Sequence, residues 1–121
     1  MTEAAYQHSE GRIQVANEVI AQIVALTALQ VPGVSGVSDR SHQIVRVIGR
    51  GGMHKGVRVE LDEAGSLRLQ VYLVAESGRN LLALAAEVQR RVVAAIDRML
   101  GMSTSAVDVF FADVRFAASA P

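Results

Sequence analysis

Two runs of alternating residues on either side of a turn constrain the fold more than any other feature of the chain. Residues 57–61 place valine or leucine at every second position, and residues 67–75 place leucine, valine or alanine there. The residues between them, 63–66, have the small and polar composition of a turn. Because side chains alternate between the two faces of a strand, the pattern predicts a β-hairpin with one packed face and one wetter face. We therefore expect helices to cover only one side of this sheet.

Two helices are predicted, one on each side of this hairpin in the sequence. We expect the first to be capped by Asn17 and to end near Leu29, ahead of Pro32. We expect the second to start at a cap on Asn80 and to end at Gly101. Each has an apolar stripe at helical spacing that should face the core. In the first helix the stripe is Val19, Ile20, Ile23, Leu26 and Thr27, and in the second it is Leu81, Leu84, Ala85, Val88, Val92, Ile96 and Met99.

Shorter strands complete the predicted architecture. Residues 12–15 alternate like a strand, residues 33–37 form an extended segment, and residues 107–111 form a last strand whose alternation slips near Ala112 and Asp113, where we expect a bulge or a strand end. The predicted fold class is α/β (α+β), a small two-layer sandwich with a mixed β-sheet and two main helices packed on one face. We expect a flexible tail over residues 1–10, a single domain over 11–116 and a frayed end over 117–121.

The composition is that of one globular domain without a strong electric field. The chain has 121 residues, half of them hydrophobic, with 12 Lys and Arg against 12 Asp and Glu. This balance does not steer the protein toward nucleic acid or an anionic membrane. Cysteine is absent, which removes disulfides and thiolate chemistry and fits a reducing compartment. No apolar segment is long enough for a bilayer span and the first ten residues do not have a signal-peptide pattern, so we expect no direct membrane insertion.

The residues that most often carry catalysis or metal binding do not form a recognisable constellation. The three histidines, His8, His42 and His54, do not share a ligand spacing, and a Gly-x-Ser-x-Gly elbow is missing. Asp62 and Glu63 belong to the predicted turn, where carboxylates stay hydrated, so we expect structural roles for both and an unshifted pKa for Asp62. We predict no metal site, no cofactor and no enzymatic activity.

A basic, glycine-rich loop is the alternative place for a binding function. Residues 49–56 look like a phosphate loop, but Lys55 precedes Gly56 and a strand follows, so the helix amides of a nucleotide site are missing. The loop is therefore either a solvated basic segment or a site for nucleic acid or another anionic ligand within 46–56. The side chains that would form this site are Arg46, Arg50, His54 and Lys55.

Large apolar side chains also fall on the predicted wetter face of the sheet. Tyr72 and Val74 lie there on one strand, and Phe110 lies there on another, joined by Val114 if the alternation keeps its phase. Exposed apolar groups that cluster commonly mark a protein interface. The other interpretation is that the loop over 38–56 or a chain terminus covers them, and the sequence leaves both open.

The order and spacing of several short segments resemble the alkaline shock protein twenty-three family of bacterial envelope stress response proteins over about residues 11–115. The segments are Gly11-x-Ile13-x-Val15-Ala16-x-Glu18-Val19-Ile20, Val31-x-Gly33-Val34-x-Gly36-Val37, Lys55-Gly56-Val57-x-Val59, Val71-Tyr72-Leu73-Val74-x-Glu76-x-Gly78-x-Asn80, Val88-Gln89 and Met99-x-Gly101. The chain departs from the family in the glycine-rich stretch 46–54.

The resemblance implies a small two-layer α/β domain with a non-catalytic role. It implies a cytoplasmic protein of the alkaline or envelope stress response, which associates with itself as an oligomer and reaches the membrane through a separate anchoring partner. On this basis we expect an interaction scaffold that uses the uncovered sheet face and an edge strand.

Overall fold

The computed structural model describes the backbone of residues 4–8, 10–38, 52–54 and 56–116, and the side chains of residues 10–38 and 56–116. The elements in chain order are β1 (Ala4–His8), β2 (Gly11–Val15), α1 (Asn17–Leu29), β3 (Val34–Val37), β4 (Gly52–His54), β5 (Val57–Leu61), β6 (Leu67–Glu76), α2 (Leu81–Leu100) and β7 (Thr104–Arg115).

The main sheet has five strands arranged around β6. On one side, β7 runs parallel to β6 along its whole length, from Leu67 opposite Thr104 to Glu76 opposite Arg115. On the other side, β5 and β3 pair antiparallel with successive parts of β6, and β4 pairs antiparallel with the outer side of β5. β1 and β2 form a separate antiparallel hairpin. Because β6 and β7 are parallel neighbours, the chain needs a long crossover between them, which α2 provides.

Both helices pack on one face of this sheet, which confirms the predicted fold class. The core consists of alternate side chains of β5, β6 and β7 together with one side of each helix. Val57, Val59, Leu69, Val71 and Leu73 are fully buried there. Alternation with a period of two thus gives the sheet one apolar face, as the sequence predicts.

The ends of α2 also follow the prediction. The side chain of Asn80 accepts a hydrogen bond from the amide of Ala83 at 3.0 Å, which satisfies one of the first unpaired donors of the helix. Gly101 closes the helix in the left-handed conformation, with φ at 66°, and donates its amide to the carbonyl of Asp97. In the stripe predicted for this helix, Leu84, Val88, Val92 and Ile96 are buried, Leu81 and Ala85 are half-buried, and Met99 at the end is exposed.

The start of the chain differs from the predicted tail. Ala4–His8 forms a strand that pairs with Gly11–Val15, so part of the segment expected to be flexible lies in a hairpin. This strand was not predictable from the pattern of residues, because residues 1–10 lack alternation. Residues 117–121, expected to be frayed, lie outside the described residues, and the division at 11 and 116 stays a prediction.

The predicted cap of α1 is wrong, and its predicted core face is right only in part, since Ile20 and Ile23 are buried as expected. Ala16 is the residue before the first turn and makes no side-chain cap bond, while Asn17 is buried inside the helix with its Oδ1 unpaired. The buried face is also rotated from the predicted stripe, so that Val19 and Leu26 are exposed. The reason is that α1 is apolar on nearly all sides, and its sequence pattern therefore does not select a face. The residues that face the core are Ile20, Ala21, Ile23, Val24 and Ala28.

The predicted slip in the last strand is confirmed. In the β6–β7 ladder, Leu73 lies opposite Phe111 and Val74 lies opposite Asp113, so Ala112 is the extra residue of a bulge. The bulge shifts the alternation, and Val114 then lies opposite the buried Ala75. Val114 is therefore on the helix-covered side and does not join Phe110.

Candidate protein interface on the open sheet face

The side of the sheet opposite the two helices is called the open face here. The register of the ladders places the alternate residues of β5, β6 and β7 on it, each opposite another open-face residue. Its members include charged and aromatic side chains of three neighbouring strands. They are Arg58, Glu60, Arg68, Gln70, Tyr72, Val74, Asp108 and Phe110.

An aromatic pair forms the centre of the open face. The rings of Tyr72 and Phe110, which lie opposite each other in the ladder, stack with centroids 4.7 Å apart and an interplanar angle of 15°. Tyr72 is only 6% exposed, whereas Phe110 is 42% exposed. Phe110 thus covers the ring of Tyr72 and presents apolar area to solvent. Exposed aromatic area supported by a fixed neighbour is the usual composition of an interface anchor.

The backbone of Tyr72 is held where two strands meet end to end. Its amide donates to the carbonyl of Gly56 at 2.9 Å, and its carbonyl accepts from the amide of Ser38 at 2.7 Å. Gly56 has φ at 84°, and a Cβ at this position would collide with the carbonyl of Ser38 and the side chain of Val37. The close approach of β3 and β5 therefore requires glycine here, and it fixes the strand position that carries Tyr72.

A buried arginine lies beside the aromatic pair on β5. Arg58 is 2% exposed, its Nη2 lies 2.6 Å from Oε2 of Glu60, and its Nε donates to the same oxygen at 2.8 Å. Its Nη1 is buried without a hydrogen-bond partner. The ion pair offsets the cost of burying the guanidinium, because an unpaired charge at this depth would be strongly disfavoured. The pair therefore holds the carboxylate of Glu60, which is 35% exposed, on the same face as the aromatic pair.

The charges of the open face are mixed. Arg58 and Arg68 lie beside Glu60 and Asp108, so the face is not a basic patch of the kind that binds a polyanion. In the described part of the chain, no group of three or more His, Asp or Glu side chains could hold a metal ion. The arrangement is suited to docking another protein by apolar contact with a polar border.

The carboxyl groups with perturbed pKa lie away from the open face. The backbone amide of Ser66 is the main cause that lowers the pKa of Asp62, which also accepts from the amide of Ala64 in the β5–β6 turn. Hydrogen bonds from Arg90 and then Arg91 lower the pKa of Glu87 on α2. Both carboxylates stabilise local structure, which is the role expected of Asp62, but the expectation that the pKa of Asp62 stays unshifted is wrong, because the turn amides hydrogen-bond its charged form.

The structure brings together three of the four residues predicted for an interface. Tyr72 and Phe110 are in contact, and Val74 follows on the same face and is half-buried, whereas Val114 is on the other face. The predicted anion-binding loop is a different case. Arg46, Arg50 and Lys55 lie outside the described residues, and for His54 only the backbone, in β4, is described.

Sequence reasoning did not identify the burial of Arg58. The alternation correctly assigns it to the wetter face, but a strand pattern carries no information about what covers that face. The available signal was Glu60, because residues two apart in a strand lie on the same side and can form an ion pair.

A family model matches this chain over residues 5–116, and the family is described as having a cell envelope-related function. The chain belongs to the alkaline shock protein twenty-three family. The resemblance seen in the sequence is therefore confirmed, and the family match includes most of the β1–β2 hairpin as well as the main sheet.

Two family relatives from Bacillus subtilis (strain 168) match almost the whole domain. YloU is 22% identical over 108 residues, covering 87% of this chain and 89% of its own length. YqhY is 27% identical over 107 residues, covering 88% of this chain and 78% of its own length. Both are described as uncharacterized proteins.

The chain is also similar to solved structures of MamM-CTD. The fragment 215-293 has a TM-score of 0.48 and 16% identity, with coverage of 84% of this chain and all of that chain.

Neither helix in the described part of the protein is long and apolar enough to cross a membrane.

Proposed function

We propose that this protein is a non-catalytic scaffold of the cell-envelope stress response, recruited to the membrane by an anchored partner protein that docks on the open face. The observation that carries the proposal is the Tyr72–Phe110 stack, whose outer ring is 42% exposed on a sheet face that neither helix covers. The family's cell envelope-related function supports the cellular setting.

Phe110 is the energetic centre of such a docking surface. Its inner side already rests on Tyr72, so little side-chain freedom remains to be lost on binding. Burial of its exposed area removes apolar surface from water, and a flat aromatic partner side chain can extend the stack. Glu60, whose side chain is 35% exposed and held by the buried Arg58, supplies a polar group at the border of the contact.

Membrane attachment through a separate protein is the second part of the proposal. The partner supplies the membrane segment, and this chain supplies a rigid docking face and self-association. In this scheme the protein acts in the cytoplasm and carries no cofactor. Its stress role is to connect several partner molecules at the envelope.

The experiment compares the location of tagged variants in cells by membrane fractionation. Phe110→Ser removes the exposed ring, and Leu82→Ser removes a similar apolar side chain that is 85% exposed on α2, away from the sheet. We expect Phe110→Ser to weaken the affinity for the membrane-anchored partner at least about tenfold, which is the loss typical of an interface anchor. More of the variant than of the parent protein should therefore be in the soluble fraction. The Leu82→Ser control should fractionate like the parent protein.

A loss of recruitment has to be separated from a loss of folding. Thermal unfolding of both purified variants checks this, and similar midpoints show that the sheet is intact. Membrane association that is unchanged by Phe110→Ser, or weakened equally by Leu82→Ser, contradicts the proposal.

A further inference from the structure

A cavity of about 320 Å³ lies at the end of the sheet where β6 and β7 finish together. It is lined by Ser35, Glu76, Ser77 and Arg115. The two serines are half-buried, whereas Glu76 and Arg115 are exposed, so the serines lie at its inner part and the charged residues at its rim. The volume is at the lower end of the range for small-molecule sites, which suits a small polar group.

The strands on both sides of β6 are irregular next to this cavity. On β3, the register shifts between Val34 and Gly36, so Ser35 is the extra residue of a bulge. On β7, the bulge at Ala112 changes the alternation and thereby places Arg115 on the open face. Bulges redirect side chains and are frequent next to functional sites. Here two of them bring a hydroxyl and a guanidinium to the same end of β6.

Backbone hydrogen bonds hold this end of β6 from both sides. The amide of Glu76 donates to the carbonyl of Gly33 at 2.8 Å, and the amide of Ser77 donates to the carbonyl of Arg115 at 2.9 Å. The carboxylate of Glu76 is paired as well, since Nη2 of Arg79 lies 3.2 Å from its Oε1. The backbone of three lining residues is thus in place before a ligand arrives, which reduces the ordering that binding requires.

The cavity offers hydrogen-bond donors that the protein does not use. Within the described residues, Arg115 makes no ion pair with its guanidinium. The hydroxyls of Ser35 and Ser77 likewise make no hydrogen bond to another described group. A guanidinium presents two parallel N–H groups whose spacing matches the two oxygens of a carboxylate. These three side chains therefore favour an oxyanion as the ligand.

The charges around the cavity favour an oxyanion with a single negative charge. Glu76 lines the cavity and repels a second negative charge, although Arg79 offsets part of its field. Asp113 lies two residues before Arg115, is not among the lining residues and has interactions of its own. One unpaired guanidinium matches one carboxylate, whereas a phosphate dianion leaves a charge unbalanced beside Glu76.

We propose that this cavity binds one carboxylate group, which Arg115 holds by its guanidinium and Ser35 and Ser77 hold by their hydroxyls. The carboxylate belongs to a free small acid or to the end of a peptide, and the experiment below distinguishes these two sources. Glu76 is four residues beyond Tyr72 on β6, so the cavity lies about 13 Å from the aromatic stack at about 3.3 Å per residue. The inference goes beyond the proposed docking function and does not depend on it.

Titration of the isotope-labelled full chain, followed by NMR, tests the site. The probes are acetate and N-acetyl-trialanine, and the control is N-acetyl-trialanine amide, which lacks the carboxylate. We expect both acids to give saturable shifts of the backbone amides of Ser35, Ser77 and Arg115, with a Kd on the order of millimolar. The amide should give no such shifts. A Kd for the peptide at least about tenfold below that of acetate identifies a peptide terminus as the source, and equal values identify a small acid.

Two arginine variants provide the matched comparison. Arg115→Gln removes the guanidinium and should raise the Kd for each acid about tenfold or more, because it removes a charge-assisted pair. Arg68→Gln makes the same change on the open face at the other end of β6, where Arg68 is exposed, and should leave both Kd values unchanged. Unchanged amide signals outside the substituted region show that each variant is folded.

Four results overturn the inference: no saturable shift at the lining residues, equal shifts with the amide control, a Kd unaffected by Arg115→Gln, or tighter binding of inorganic phosphate than of either acid. Recruitment through Phe110 is unaffected by all four. Conversely, membrane association that is independent of Phe110 overturns the docking function and leaves the carboxylate site standing.

Discussion

At the residue scale, Gly56 has the strictest structural requirement at the candidate site. It combines a left-handed backbone conformation with direct contact against the carbonyl of Ser38, and its own carbonyl holds the amide of Tyr72. Gly65 has nearly the same φ, 85°, but its Cβ position is open space. Substitution of these two glycines therefore separates the destabilisation that comes from the left-handed backbone conformation from the destabilisation that comes from a steric collision.

Gly56→Ala is expected to destabilise the protein by roughly 3 kcal/mol, since the left-handed conformation and a backbone collision both act against it. Gly65→Ala is the control, with an expected loss of about 1 kcal/mol from the conformation alone. Urea unfolding of both variants measures the difference. Equal losses would mean that β3 and β5 do not meet as closely as described.

Asp62 makes the stability of the β5–β6 turn depend on pH. Hydrogen bonds from the turn amides lower its pKa in the folded protein, so the folded state favours the carboxylate. This stabilisation is fully present above the unfolded-state pKa and is lost as the pH falls through the lowered folded-state pKa. Replacement by asparagine removes the titrating group.

We expect the free energy of unfolding of the parent protein to decrease more steeply in acid than that of Asp62→Asn. At neutral pH the variant should be the less stable of the two, and the gap should narrow as the pH falls. Urea unfolding over a pH series measures both quantities. A gap that is constant over the acid range would show that Asp62 does not titrate differently in the two states.

At the element scale, the two helices show what a sequence pattern can and cannot establish. In α2, charged residues such as Glu87, Arg90 and Arg91 mark the outer side, so the inner stripe was predictable. In α1, Glu18 is the only charged residue, and apolar residues occupy both sides. The packing of the sheet therefore selects the core face of α1, which a single helix sequence does not specify.

Ile20 and Leu26 test the core face of α1. Ile20→Ala removes a fully buried side chain and should cost about 3 kcal/mol, as is usual for large-to-small changes in a core. Leu26 is 62% exposed, and Leu26→Ala should change stability by no more than about 0.5 kcal/mol. Thermal unfolding compares the two, and a large loss at Leu26 would support the stripe expected from the sequence.

The strands were more predictable than the first helix. The alternation of apolar residues predicted the β5–β6 hairpin and the face of the sheet on which Tyr72 and Phe110 lie. The change of phase in the last strand predicted the bulge at Ala112. Strand order was not predictable, because it depends on contacts between distant segments. The contact between Tyr72 and Phe110 depends on that order, so it became visible only in the fold.

At the scale of the whole molecule, the sheet divides the protein into two sides of different composition. One side is filled by α1 and α2 and supplies the stability of the fold. The other presents the Tyr72–Phe110 stack with mixed charges around it. We infer that this division lets a family with a cell envelope-related function dock partners without disturbing its own core.

Site-specific photo-cross-linking in cells tests this division most directly. A photoreactive phenylalanine analogue replaces Phe110 on the open face, and the same analogue replaces Leu82 on α2 as the control. We expect a cross-link from position 110 to an integral membrane protein and none from position 82. Cross-linking to that protein from position 82 alone, or equally from both positions, would contradict it.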